Sequence, residues 1–163
     1  MKIGVVSDTH SHIVPQQMLD DFKDVDLIIH AGDFCSVADL KIFTKIGKVR
    51  AVFGNMDGLE LRQMLPEREI FEVEGLRIGL YHGHGSVEKI LDIIKNEFKK
   101  DKVNIVIFGH SHHPLNETID NVLYFNPGSP TDIVRAPYNS YGILEIKNGK
   151  VSGKIIKVKN HHG

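Results

Sequence analysis

Lys2-Ile3-Gly4-Val5-Val6-Ser7-Asp8-Thr9-His10 opens the chain with a short apolar run rich in β-branched residues that stops on a carboxylate and an imidazole. Such a run, Lys2 to Ser7, reads as a buried strand, and the polar segment from Asp8 to His12 as the loop at its end. The pattern recurs downstream. Pro15 suits the first turn of a helix reaching about Lys23, with Met18, Leu19 and Phe22 on one face. Val25 to His30 forms a second strand ending in Ala31-Gly32-Asp33, and Val37 to Ile46 a helix with Val37, Leu40 and Phe43 or Ile46 on its apolar side. Lys48 to Phe53 is a third strand, followed by Gly54-Asn55-Met56-Asp57. Strand, polar loop, helix, repeated, is the pattern of a parallel sheet with crossover helices.

The second half changes character. Glu69 to Val73 and Leu76 to His82 are strands joined by the tight turn Glu74-Gly75. Val87 to Phe98 has helical spacing, with Val87, Ile90, Leu91, Ile94 and Phe98 in register. Val103 to Phe108 is a buried strand running into Gly109-His110-Ser111-His112-His113, and short strands follow near Asn116 to Asp120, Val122 to Phe125, Tyr141 to Ile146 and Val151 to Val158. No internal repeat or low-complexity stretch interrupts the chain.

With 163 residues, 41% hydrophobic and 25% charged, the chain is expected to fold as one domain over residues 1–163. A formal net charge of -1 gives no electrostatic footprint for nucleic acid or an anionic membrane. The lone cysteine, Cys35, excludes an internal disulfide and fits a reducing compartment, so a cytoplasmic location is expected. The first apolar run is too short for a signal peptide, and no segment has the length of a membrane span. Homo-oligomerisation is compatible with the sequence.

Five strand-like runs end beside good metal ligands: Asp8 and His10, Asp33, Asn55, His82, then His110 and His112. Ligands bind beyond the carboxyl ends of strands in open α/β sheets, so five such loops are expected to converge on one cleft. An aspartate or histidine at i and a histidine at i+2 face the same way in extended backbone, which suits Asp8 with His10 and His110 with His112. Glycines at 32, 54, 83 and 109 are expected to let the backbone turn sharply beside them. Taken singly, Asp33 reads equally as a helix N-cap, Asn55 or Asp57 as turn residues, and any one histidine as solvated. Turn chemistry has no use for four separate histidines, and the joint pattern favours a metal centre.

The ordered series Asp8-x-His10, Gly32-Asp33, Gly54-Asn55, His82-Gly83 and Gly109-His110-x-His112 resembles the calcineurin-like metallophosphoesterase superfamily, and with Asn126-Pro127-Gly128-Ser129 it is similar to the YfcE-type phosphodiesterase branch. The resemblance implies a four-layer α/β/β/α sandwich of two mixed sheets. It implies two divalent metal ions per chain, manganese foremost, with nickel, zinc, iron, cobalt or magnesium as alternatives. Asp8, His10 and His112 would hold the first ion, Asn55, His82 and His110 the second, and Asp33 both. It further implies hydrolysis of a small or medium-sized phosphodiester by a hydroxide bridging the ions.

The sequence departs from the commonest catalytic pattern of that superfamily at Met56, where a histidine usually contacts phosphate. Methionine cannot donate a proton, so His12, His84 and His113 are the neighbouring candidates; His84 is set beside Asp33 and Asn55 as the catalytic group. Gly128 and Ser129 are candidates to donate to a substrate oxygen or to support a histidine, and Arg135 to clamp phosphate or stay solvated. The alternative is a metal-binding interaction scaffold, as in the retromer subunit of this same fold. A repair-type nuclease fits the short, nearly neutral chain less well.

Overall fold

A computed structural model of the chain describes residues 1–159. The apolar runs form two five-stranded sheets. In the first, β1 (Lys2–Val6) lies between β2 (Leu27–His30) and β9 (Ser140–Lys147). The short β3 (Val49–Ala51) and the long β10 (Lys150–Lys157) are its edges. The strands β1, β2 and β3 are parallel, while β9 runs antiparallel to β1 and β10. The second sheet has β5 (Leu76–Tyr81), β6 (Ile105–Ile107) and β8 (Val122–Asn126) parallel at its centre, flanked by antiparallel β4 (Arg68–Val73) and β7 (Leu115–Ile119).

Period-two alternation assigns each face its neighbour. Ile3, Val5, Leu27 and Ile29 from one sheet meet Ile78, Leu80, Ile105 and Ile107 from the other in the central core. The opposite face of the first sheet, with Val6 and Ile28, packs on Met18 and Phe22 of α1 (Gln16–Phe22) and on Leu40 and Phe43 of α2 (Val37–Thr44). The outer face of the second sheet, with Tyr81, Val106 and Tyr124, packs on Ile90, Ile94 and Phe98 of the last helix. Helix, sheet, sheet, helix is the expected four-layer order. Two links tie edge to edge: the Arg50–Glu69 ion pair, and Asn116 Nδ2 donating to Gly153 O at 2.8 Å.

Two local readings are corrected. A helix not read from the sequence, α3 (Leu59–Met64), follows the Asn55 loop; it buries only Leu61, too little apolar surface to leave a helical pattern. The segment read as one helix from Val87 begins as a 3-10 turn, Val87–Lys89, and continues as α4 (Ile90–Phe98). Val87 is accordingly exposed instead of in register with Ile90 and Ile94. The Glu74-Gly75 turn is as expected, both residues having positive φ (50° and 81°), the type that matches strand twist.

Gly79 lets α4 sit close on the second sheet: a Cβ there would lie 2.6 Å from the ring of Phe98, which is 3% exposed. Gly79→Ala should therefore lower stability by about 1–3 kcal/mol through overpacking. Urea unfolding measures it, and an unchanged midpoint would show that the helix shifts freely.

Candidate metal centre

The parallel strands of both sheets end on the same side of the sandwich, and their loops meet there. Asp8 is fully buried and its Oδ2 accepts from Ser7 Oγ (2.7 Å) and His110 N (3.1 Å). Its Oδ1 is a buried polar atom without a hydrogen-bond partner. Around that oxygen stand the Nε2 atoms of His112 (3.3 Å), His10 (3.6 Å) and His82 (3.7 Å). Asp33 Oδ1 accepts from Met56 N at 2.8 Å, leaving Oδ2 to face His82 Nε2 (3.2 Å) and His10 Nε2 (3.6 Å). Asn55 Oδ1 approaches His82 Nε2 (3.0 Å) and His110 Nδ1 (3.3 Å). All seven residues expected as ligands thus converge.

The outer ring nitrogens fix how these imidazoles present themselves. His82 Nδ1 lies 2.7 Å from Ala31 O, His110 Nε2 2.8 Å from Gly85 O, and His112 Nδ1 2.6 Å from Asp132 Oδ2. A carbonyl or carboxylate oxygen only accepts, so each outer nitrogen carries the proton and each inner one, when neutral, offers a lone pair to the cluster. An orphaned buried carboxylate oxygen beside such lone pairs fits a divalent cation. Asp8, His10 and His112, and separately Asp8, Asp33 and His82, each offer three ligand atoms within 4.8 Å of one another. Mixed imidazole and carboxylate donors suit the first-row divalent ions.

The means of convergence differ from the expected extended alternation. Asp8, His10, Asp33, His110 and His112 have φ of 58°, 49°, 64°, 71° and 62°, all left-handed. The loops hold this shape by bonding to one another, with Asp8 N on Gly32 O (2.9 Å) and His10 N on Asp33 O (3.0 Å). Of the glycines, 32 and 83 do have positive φ, whereas 54 and 109 serve close approach. A Cβ on Gly54 would overlap the Asp33 carboxylate, and one on Gly109 would overlap Ser7 and Asp8.

Sequence reading missed several residues that build the site. Asp57, 3% exposed, accepts from Asp33 N (2.9 Å), Gly54 N (2.8 Å) and Cys35 N (2.7 Å), locking the second loop to the third. His30 is buried against Phe34, takes Gly32 N on Nδ1 (3.0 Å) and meets Thr9 Oγ1 (3.2 Å); burial holds it neutral, its pKa pushed down to about 3. Asp132 orients His112 and also accepts from the amides of Val134, Arg135 and Ala136. Burial opposes its ionised form, but His112 and those amides outweigh it and bring its pKa to about 2. Only Asp57, two residues beyond Asn55, lay within a quoted motif.

The Asn126–Ser129 turn binds backbone: Asn126 Nδ2 donates to Gly109 O (3.1 Å) and Ser129 Oγ to Asp8 O (2.8 Å). His84 is exposed with its ring against Tyr81, outside the lining of the cleft over the cluster, and His113 Nε2 is bonded to Arg135 O (3.0 Å). His12, Met56 and Arg135 do line that cleft, whose volume is about 870 Å³. Cys35 is half-buried; burial, together with the Asp57, Asp33 and Asp39 carboxylates, pushes its thiol up to about 11.

The family model for the calcineurin-like phosphoesterase superfamily domain matches residues 1–149. A probable metallophosphoesterase of Methanocaldococcus jannaschii is 38% identical, covering 98% of this chain and 82% of that one. The phosphodiesterase YfcE of Escherichia coli is 31% identical over 105 residues, 60% of this chain and 53% of that one. The crystal structure of Entamoeba histolytica Vps29 complexed with zinc superposes with a TM-score of 0.74 at 25% identity, over 96% of this chain and 99% of that one.

Burial opposes the charge on His82, but Asp8 and Asp33 outweigh it and raise its pKa to about 9; His112 is raised in the same way by Asp8 and Asp132. Asp8 is held well below the carboxylate range, because His82, His10 and His112 overcome its burial. Without metal His82 is therefore protonated at neutral pH and must lose that proton to ligate, and the upward shift of His112 acts in the same direction. Metal affinity should rise with pH up to about 9, roughly tenfold per unit for each proton displaced. Calorimetric titration of manganese at pH 6 to 8, in buffers of different protonation enthalpy, counts the protons. Uptake without proton release would contradict the assignment.

Proposed function

The chain belongs to the calcineurin-like phosphoesterase superfamily, and on that premise we propose that it is a phosphodiesterase working with two divalent metal ions, manganese foremost, on a small or medium-sized diester in the cytoplasm. Asp8, His10 and His112 would hold one ion, Asn55, His82 and His110 the other, and Asp33 both. The observation that carries this reading is the position of Asp33 Oδ2, between His10 Nε2 of the first set and His82 Nε2 of the second. The closeness of Asn55 Oδ1 to both His82 and His110 supports treating those three as one set. Bound cations supply a nucleophilic water near neutral pH and offset charge on the phosphate oxygens.

The remaining work falls to this chain's residues. Asp132, Ala31 and Gly85 hold three imidazoles in the ligating tautomer through His112, His82 and His110. Ser7 and Asp57 fix the two carboxylate-bearing loops. Met56, 58% exposed on the cleft, offers the leaving group no proton, while His12 is an exposed imidazole on the same cleft.

The primary test is hydrolysis of bis(4-nitrophenyl) phosphate after manganese loading, with elemental analysis of the bound metal. Two ions per chain and loss of activity in chelator are expected; full activity with one ion or none would refute the reading. Asp33→Asn should lower occupancy at both positions and Asn55→Ala chiefly at one. Equal losses in the two variants would remove Asp33 from its bridging place.

A second expectation concerns Met56. Wild type should hydrolyse nitrophenyl esters much faster than alkyl esters, and Met56→His should accelerate the alkyl esters by about 10²-fold or more, since general acid catalysis matters only for a poor leaving group. The kcat/KM values across a leaving-group series measure this. A flat series in wild type would instead give the donor role to His12, and His12→Ala should then steepen it.

A further inference from the structure

The cleft above the ligand cluster has two unlike walls. One is the cluster itself; the other is apolar and faces water. Ile13, Ile133 and Val134 are 96%, 89% and 85% exposed, the three most exposed large hydrophobic side chains among the described residues, and all three line this cleft. Scattered exposed aliphatics are ordinary, but three gathered at the mouth of a polar site mark a surface that binds something. The wall is also rigidly presented. Asp132 accepts from Val134 N (2.8 Å), Arg135 N (3.1 Å) and Ala136 N (3.1 Å), so the loop carrying Ile133 and Val134 is folded around one carboxylate. Arg135 is the only lysine or arginine in the lining, and among the described residues no carboxylate forms an ion pair with it.

We propose that this wall is a subsite for one hydrophobic ester arm of the substrate, and that the preferred substrates are phosphodiesters carrying such an arm. The inference rests on the phosphodiesterase reading and names its substrate class. A diester has one anionic phosphate and two arms. With the phosphate at the ligand cluster, the departing arm points to bulk water and the retained arm lies along the adjoining wall. There Ile133 and Val134 exchange water for apolar contact, which is favourable in proportion to the area covered. Arg135, next in sequence, complements the single negative charge of the diester. A phosphomonoester's one arm is its leaving group, so at turnover it leaves the wall uncovered, whereas the arm of a phosphonate cannot depart and is free to lie on the wall.

The test holds the leaving group constant and varies the other arm. Manganese-loaded protein is assayed with methyl 4-nitrophenyl phosphate and phenyl 4-nitrophenyl phosphate, alongside Ile133→Ser/Val134→Ser. Both positions are solvent-exposed, so the double variant should fold. The phenyl-to-methyl ratio of kcat/KM should fall about tenfold or more in the variant, the range over which an apolar pocket discriminates. Calorimetric binding of phenylphosphonate against methylphosphonate to the loaded proteins should lose the same preference, and it requires no turnover. A ratio unchanged by the double variant in both measurements overturns the subsite while leaving the phosphodiesterase reading intact. If neither ester is hydrolysed, the phosphodiesterase reading falls and the phosphonate ratio alone decides the subsite. Self-association of the wild type that the double variant abolishes, with both ratios unchanged, would mean that the wall covers a second copy of the chain and would also overturn the proposal.

Discussion

Everything near the cleft is arranged around a carboxylate that the fold buries completely. Asp8 ends the central strand of the first sheet with no exposure to water, one oxygen bonded to Ser7 and His110 and the other bonded to nothing. An isolated buried charge is among the most costly groups a protein can carry, and removing its compensating partners is strongly destabilising. The compensation available here is imidazole, from three different loops. The demand of one oxygen for positive charge therefore dictates that loops from both sheets meet, and that the strands bearing them end on the same side.

That arrangement has a backbone cost. Five of the seven clustered residues lie at positive φ without being glycine, where each left-handed residue costs roughly 1–2 kcal/mol. The strain is over-determined by neighbours: Asp57 takes three amides from two loops, and the first loop bonds to the second through Asp8 N and His10 N. Two glycines without side chains, Gly54 and Gly109, let backbone lie against the Asp33 and Asp8 carboxylates. The loops are thus shaped by contacts among themselves before any ion is considered, and the cluster is preorganised.

Much of this was legible in the sequence because it is local. Strands buried on both faces write near-continuous apolar runs, and every central strand was readable from one. The ligands were readable because each ends such a run or follows it within four residues. What escaped depends on contacts distant in sequence. Asp132 is 20 residues from His112, in a polar segment that looks like any loop. His30 reads as the end of a strand, and only the stacked ring of Phe34 and the Gly32 amide reveal its place. His84 sits one glycine away from His82, so proximity in sequence suggested a shared site; the turn at Gly83, with φ of 102°, sends it instead against Tyr81. The shape of Gly54 and Gly109 was likewise misread, because absence of a Cβ has two uses and sequence does not say which.

Asp132 joins the two halves of the cleft. Its Oδ2 is shared between the outer nitrogen of His112 and the amides of Arg135 and Ala136, while Oδ1 binds Val134 N. One carboxylate therefore sets both the orientation of a cluster imidazole and the fold of the apolar wall. Its low pKa keeps it ionised, so the acceptor is present throughout the range in which proteins work. Any group that presses on Ile133 and Val134 acts on a loop whose anchor also touches His112. The reverse holds as well, since a force on the His112 ring is passed to the same amides. The loop that carries the wall is therefore tied to the cluster loop at two points, Asp132 Oδ2 on His112 at 2.6 Å and Arg135 O on His113 at 3.0 Å, and only the first of these also orients a cluster imidazole.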